Sequence, residues 1–148
     1  EELNPIRSHL IESLKKKKVY GSVDFLIIIQ AIEGYWWRFK DDIYHKQNSI
    51  PAKNRTALNT ILTELKSAFN DITLIKNLDI DIDAIVDSRH YYSHFLLRDK
   101  KKKRLDGWDL INQAKKLRLL LICCILSFIG FDNARINTIF IKSNSKLI

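Results

Sequence analysis

Hydrophobic residues along this chain recur at helical rather than strand spacing. In "NPIRSHLIESLKKKK", Ile6, Leu10 and Leu14 fall on one helical face, with Asn4 in the N-cap position and Pro5 at the first helical residue. Gly21 marks a break. "SVDFLIIIQAIEGYWWRFKDD", residues 22 to 42, is apolar almost all round, with Phe25, Ile28, Ile29, Ile32, Trp36 and Phe39 among its large side chains. A helix without a polar face is usually central, touching several neighbours or another subunit. The polar stretch "HKQNSIP" ends at Pro51. After it, "AKNRTALNTILTELKSAFN" carries a stripe at Leu58, Ile61, Leu62, Leu65 and Phe69 with charges opposite, which predicts a surface helix with one buried side.

"LDIDID", residues 78 to 83, alternates like a strand, but nothing nearby offers a partner strand. The better reading is a helix start, with Asp81 or Asp83 capping and complementing the positive end of the dipole. That helix would carry Ile85, Val86 and "DSRHYYSHF", residues 87 to 95. A lysine-rich loop follows. "DGWDLINQAKKLRLLLICCILSFIG", 106 to 130, predicts a last long helix, half amphipathic and then fully buried, closing at Gly130. The tail from Asn133 is open between a short helix and an extended segment. No internal repeat or linker interrupts the chain, so residues 1 to 148 read as one all-α domain, a bundle of about five helices.

Composition agrees: 46% of residues are hydrophobic, against disorder, and four glycines with two prolines leave little turn material for a many-stranded sheet. The chain starts at Glu1 and has no methionine, so it is expected to be a segment of a longer protein, with room for an upstream sensor domain. The apolar run from Leu119 to Leu126 falls short of the roughly 20 residues of a membrane span. Cys123 and Cys124 are neighbours inside that run, poorly placed to staple loops. With no secretory signal pattern they read as reduced packing residues of a cytoplasmic protein. In that setting "NRT" at 54 to 56 matches the glycosylation triplet by chance.

The net charge of +8 draws the chain towards polyanions, nucleic acid first among them. The basic residues concentrate in Lys15, Lys16, Lys17 and Lys18, and in Lys100, Lys101, Lys102, Lys103 and Arg104. Solvated loops that keep the protein soluble are the competing account of both runs.

The candidate chemistry lies in "DSRHYYSHF". His90 and His94 are four apart and share a helix face, with Asp87 one and two turns before them, a geometry that could hold zinc. The motif supplies no third ligand and no HExxH, and His9 and His45 sit in unrelated contexts, so neither a metal nor another cofactor is expected. A second reading pairs Arg89 with His94. Cutting RNA through its own 2′-hydroxyl needs a group that moves protons near neutral pH and a cation to hold the phosphate, and imidazole and guanidinium supply them without a metal. Residues five apart lie about 140° from each other on an ideal helix. The pair therefore shares a face only if the helix is distorted, the arginine reaches round, or a second copy completes the site. The competing account makes His94 and the tyrosines half-buried packing residues around a surface arginine.

"RHYYSH" fits the R-x4-6-H signature of the HEPN superfamily, small helical bundles of prokaryotic defence and toxin systems, and the wider chain resembles its ApeA-like anti-phage branch. "DFLIIIQAIEGYWWRF" resembles that branch's first long helix, with Ala31-Ile32-Glu33 in place of its "ALE" element. "IVDSRHYYSHF" resembles its motif helix, and "LLLICCILSFIGF" its last apolar helix, so the likeness covers roughly residues 20 to 131. The resemblance implies a homodimer with two motifs around a shared groove, Arg89 on the scissile phosphate and His94 as the proton-transfer group. The residue after the arginine is usually asparagine; His90 stands there, to orient the phosphate or Arg89 or to act as a second acid or base. The implied activity is a metal-independent endoribonuclease acting on RNA, with a tRNA anticodon loop as one substrate. The alternative is a catalytically silent HEPN module that binds RNA, a nucleotide or a partner protein, or serves as a dimerisation domain.

Glu33 sits in a long apolar helix, where an unpaired carboxylate is costly. It should face a wet groove or a cation: Arg89 or a motif histidine on one account, Arg38 on the other. Trp36, Trp37, Tyr91 and Tyr92 could stack bases, but at helical spacing in apolar stretches packing is the commoner fate, with Tyr91 and Tyr92 the expected exceptions beside the motif.

Overall fold

In the computed structural model the described residues are 7, 10, 11, 21–43, 56–94 and 102–143. Within them the chain is helical, and no strand occurs among the described residues. Six helices can be traced: α1 (Gly21–Ile43), α2 (Leu58–Ala68), α3 (Thr73–Lys76), α4 (Ile82–His94), α5 (Gly107–Phe128) and α6 (Asn133–Ser143). Arg7, Leu10 and Ile11 are helical too, with Leu10 buried. The expected five counted a first helix over residues 4–14, which lies mostly outside the described residues, and lacked two of these six: α3, a single turn too short to show a period, and α6. The open tail proves helical as α6.

The nearly all-round apolar character of α1 has the expected cause. Phe25, Ile28, Ile29, Ile32, Tyr35, Trp36 and Phe39 are all buried, and α1 touches α2, α4 and α5. Its main partner is α5. Gly21 abuts Leu110 and Ile111 at one end, and the Phe39 and Phe128 rings lie 4.4 Å apart at the other. The two longest helices therefore run in the same direction, side by side for about five turns. Asp24, also buried in α1, puts its charge close to Arg118 of α5, whose guanidinium burial otherwise pushes below its ordinary range.

The stripe on α2 buries Leu58, Ile61, Leu62 and Leu65, and Phe69 continues it. Two bonds fix the far corner: Asn137 Oδ1 accepts the Thr73 N–H at 3.0 Å, and Asn133 Nδ2 donates to the Ala68 carbonyl at 2.9 Å. Helix α5 ends as Gly130 predicts. With φ at 96°, where a side chain is disfavoured, Gly130 turns the chain so that its own N–H reaches the Ser127 carbonyl and that of Phe131 the Leu126 carbonyl. Cys123 and Cys124 are free and buried, and burial pushes the Cys123 thiol up to about 12 and the Cys124 thiol well above its ordinary value. No helix among the described residues is long and apolar enough to cross a membrane.

Candidate functional site

Helix α4 starts where the acidic alternation predicted, with Asp81 Oδ1 accepting the Ala84 N–H at 3.1 Å as the cap. Ala84, Ile85 and Ser88 turn into the bundle and fix the helix's rotation. Val86, Arg89 and His90 consequently come to the edge facing α1 and the start of α2. There Arg89 Nη2 lies 3.5 Å from Glu33 Oε1, with the two side chains 30% and 23% exposed. Glu33 thus satisfies both physical conditions set for it: a cation beside it and an opening to water.

That opening is a cleft of about 880 Å³ lined by Glu33 and Trp37 of α1, Val86, Arg89 and His90 of α4, and residues 56 to 59 on the far side. His94 is not among its walls. It is exposed at the end of α4, its ring 6.3 Å from that of His90 and tilted 24° from it, so the two imidazoles stack one turn apart. The helix stays regular through the motif, and Arg89 and His94 keep the divergence their spacing predicts. His90 is the residue that joins them, sharing the cleft with Arg89 and the stack with His94.

The other side of α4 is occupied by structure. Ser88, fully buried, accepts the Leu105 N–H at 2.8 Å, and Asp87 accepts that of Lys103 at 3.2 Å. The Tyr92 hydroxyl lies 3.0 Å from the Leu105 carbonyl and 2.9 Å from Asp106 Oδ1. Burial first, and then the Asp106 carboxylate, push that phenol up to about 12. Arg104 bonds Asp106 through two nitrogens, at 3.0 and 2.7 Å, and lies 4.4 Å over the Tyr91 ring. Asp87, Tyr91 and Tyr92 thus hold the segment 103–106 that leads into α5. Of the four aromatic side chains considered for base stacking, Trp37 lines the cleft. Trp36 is buried, and the two tyrosines are engaged with 104–106.

The basic clusters are only partly placed. Lys15, Lys16, Lys17, Lys18, Lys100 and Lys101 lie outside the described residues, as do His9 and His45. Lys102 is exposed, Lys103 sits 3.6 Å from Asp81, and Arg104 is bound to Asp106. Among the described residues no three histidine, cysteine, aspartate or glutamate side chains converge as a metal would need. Thr56, Asn59 and Val86 were missed as site residues. They carry no motif and reach the site only because α2 packs beside α4.

A family model described as Apea-like HEPN matches residues 26–135, a stretch that runs from α1 through α4 and α5 into the start of α6 and contains every wall of the cleft. Neither the curated proteins nor the solved structures compared with the chain gave a match. With an all-helical bundle, the R-x4-H motif on α4 and a match over most of its length, the chain belongs to the Apea-like HEPN family.

Proposed function

We propose that this domain is a metal-independent endoribonuclease of a defence or toxin-type system, working in the cytoplasm on unpaired RNA such as a tRNA loop. The observation that supports the reading best is the sharing of one cleft by Arg89 and His90, with His94 stacked one turn beyond. In this reading the strand's 2′-hydroxyl attacks the adjacent phosphorus, the bond to the 5′-oxygen breaks, and a 2′,3′-cyclic phosphate and a 5′-hydroxyl are left. Two protons move: one leaves the 2′-oxygen and one reaches the 5′-oxygen. His94 is one transfer group, and His90, 6.3 Å away, is spaced to be the other across a single phosphate. Arg89 holds the non-bridging oxygens, and Glu33 keeps its guanidinium in the cleft until phosphate arrives. Only unstacked nucleotides allow the in-line attack, which favours loops over duplex. A homodimer would bring a second exposed His94 to the same strand.

One observation favours the alternative, a silent module that binds RNA, a nucleotide or a partner protein: His94 stands outside the cleft that holds Arg89. Cleavage of total RNA in excess chelator separates the two. Wild type should cut, Arg89→Ala and His94→Ala should fall to background, and His90→Ala should lose at least about tenfold, a barrier change of about 1.4 kcal/mol. RNA binding with no wild-type cleavage would favour the silent module.

A further inference from the structure

We propose that Trp37 and Asn59 form a base-recognition subsite that receives the nucleotide flanking the scissile phosphate; this rests on the ribonuclease reading above. At about 880 Å³ the cleft is far larger than a phosphate needs and falls in the usual range for sites that enclose a small organic ligand. Its lining is mixed. Arg89, His90 and Glu33 are polar and charged, Trp37, Val86, Leu58 and Ala57 are apolar, and Thr56 and Asn59 are polar and uncharged. A flat uncharged ring joined to an anion matches that mixture.

Trp37 follows Glu33 by four residues on α1 and so lies on the same face, one turn along. It is partly buried and packed against the core, which holds the indole as a fixed wall on which a base can stack. Asn59 provides direction. Ala57, at the N-cap of α2, has no side-chain acceptor, and Asn59 Oδ1 instead accepts the Thr60 N–H at 2.8 Å, with the Thr60 hydroxyl 3.4 Å away. The carboxamide is thereby oriented, and its Nδ2 amino group, with no partner among the described residues, presents two donors to a base edge that carries acceptors.

Charge fixes which way the nucleotide lies. Past Asn59 and Val86 the surface continues into a smaller hollow lined by Asp83, Asp87 and Lys103. A second hollow there is lined by Asp79, Asp81 and Asp83 together with the same Lys103, so four aspartates stand against one lysine on that side. Aspartates on that side repel phosphate, so the backbone stays at Arg89 and His90 and only the uncharged base reaches Asn59.

The test uses 12-nucleotide RNA homopolymers of U, C and A for cleavage, and their 2′-O-methyl forms, which cannot be cut this way, for binding. Asn59 is exposed, so Asn59→Ala should fold as wild type does. The expected result is a five- to tenfold loss of affinity for the best-bound 2′-O-methyl homopolymer, a smaller loss for the worst, and a matching flattening of cleavage preference. Trp37→Phe should weaken all three by similar factors. If wild type cuts RNA and Asn59→Ala leaves affinities and preference unchanged, or weakens every homopolymer equally, the subsite is wrong and the nuclease reading stands. If wild type binds with the Asn59 dependence yet does not cut, base recognition at Asn59 stands, while the nuclease reading and the placement beside a scissile phosphate fall. If wild type neither binds nor cuts, both fall.

Discussion

Removing the carboxylate of Glu33 tests how the cleft holds its guanidinium. At 3.5 Å the Arg89–Glu33 attraction is about 5 kcal/mol at an effective dielectric of about 20. Neither side chain is more than a third exposed, so both lose some hydration in the folded state, and that loss cancels most of the gross attraction. A coupling of about 1 to 1.5 kcal/mol should remain, above the range of about 0.2 to 1 typical of fully exposed pairs. The assay is a double-mutant cycle of wild type, Glu33→Gln, Arg89→Met and the double variant, read by urea unfolding at neutral pH. Arg89→Met should be the more damaging single change, since it leaves a partly buried carboxylate without its cation. In cleavage assays Glu33→Gln should reduce kcat by roughly tenfold, about 1.4 kcal/mol, without abolishing it, because the arginine remains but is no longer aimed. A coupling under about 0.3 kcal/mol would refute the positioning role.

Three further outcomes follow from the packing around α4 and α5. Ser88→Ala should destabilise the fold by about 1 to 3 kcal/mol in urea unfolding, because the Leu105 N–H loses its acceptor where water does not reach; a change within 0.3 kcal/mol would contradict the bond at 2.8 Å. At pH 8 a thiol reagent should label neither Cys123 nor Cys124 in the folded protein and both in urea, since burial raises both thiols; rapid labelling of the folded state would count against their burial. The Tyr92 phenol, ordinarily near 10, is raised to about 12 in the fold, so its contribution is intact below pH 10 and lost as pH climbs from 10 through 12, where the unfolded chain ionises first. Tyr92→Phe should therefore flatten part of the alkaline decline in urea midpoint, and an unchanged slope would contradict the raised value.

The bundle was legible because burial imprints itself on sequence. The stripe from Leu58 to Phe69, the all-round apolar run of α1 and the Gly130 terminus each follow from local rules, and each is where it was expected. A carboxylate cap on α4 was also readable as Asp81 or Asp83, and Asp81 fills it. The site was only half legible. Glu33 announced itself as a carboxylate in an apolar helix, and its partner came from the motif. The roles of the ring-bearing residues around the motif were not legible, because they depend on which element covers which side of α4. Segment 103–106 covers one side and engages Tyr91 and Tyr92, leaving Trp37 as the aromatic wall of the cleft. Asn59 shows the same limit: in sequence it is one more polar residue on the exposed side of α2, and only tertiary packing sets it opposite Arg89.

The central claim is that a guanidinium and two imidazoles direct the RNA's own hydroxyl at its phosphate. Mass spectrometry of fragments produced from a defined unpaired RNA in excess chelator tests it most directly. The account predicts 2′,3′-cyclic phosphate and 5′-hydroxyl ends that vanish with Arg89→Ala. Fragments ending in 3′-hydroxyl and 5′-phosphate, or the same fragments from an RNA carrying 2′-deoxyribose at the cut, would contradict it.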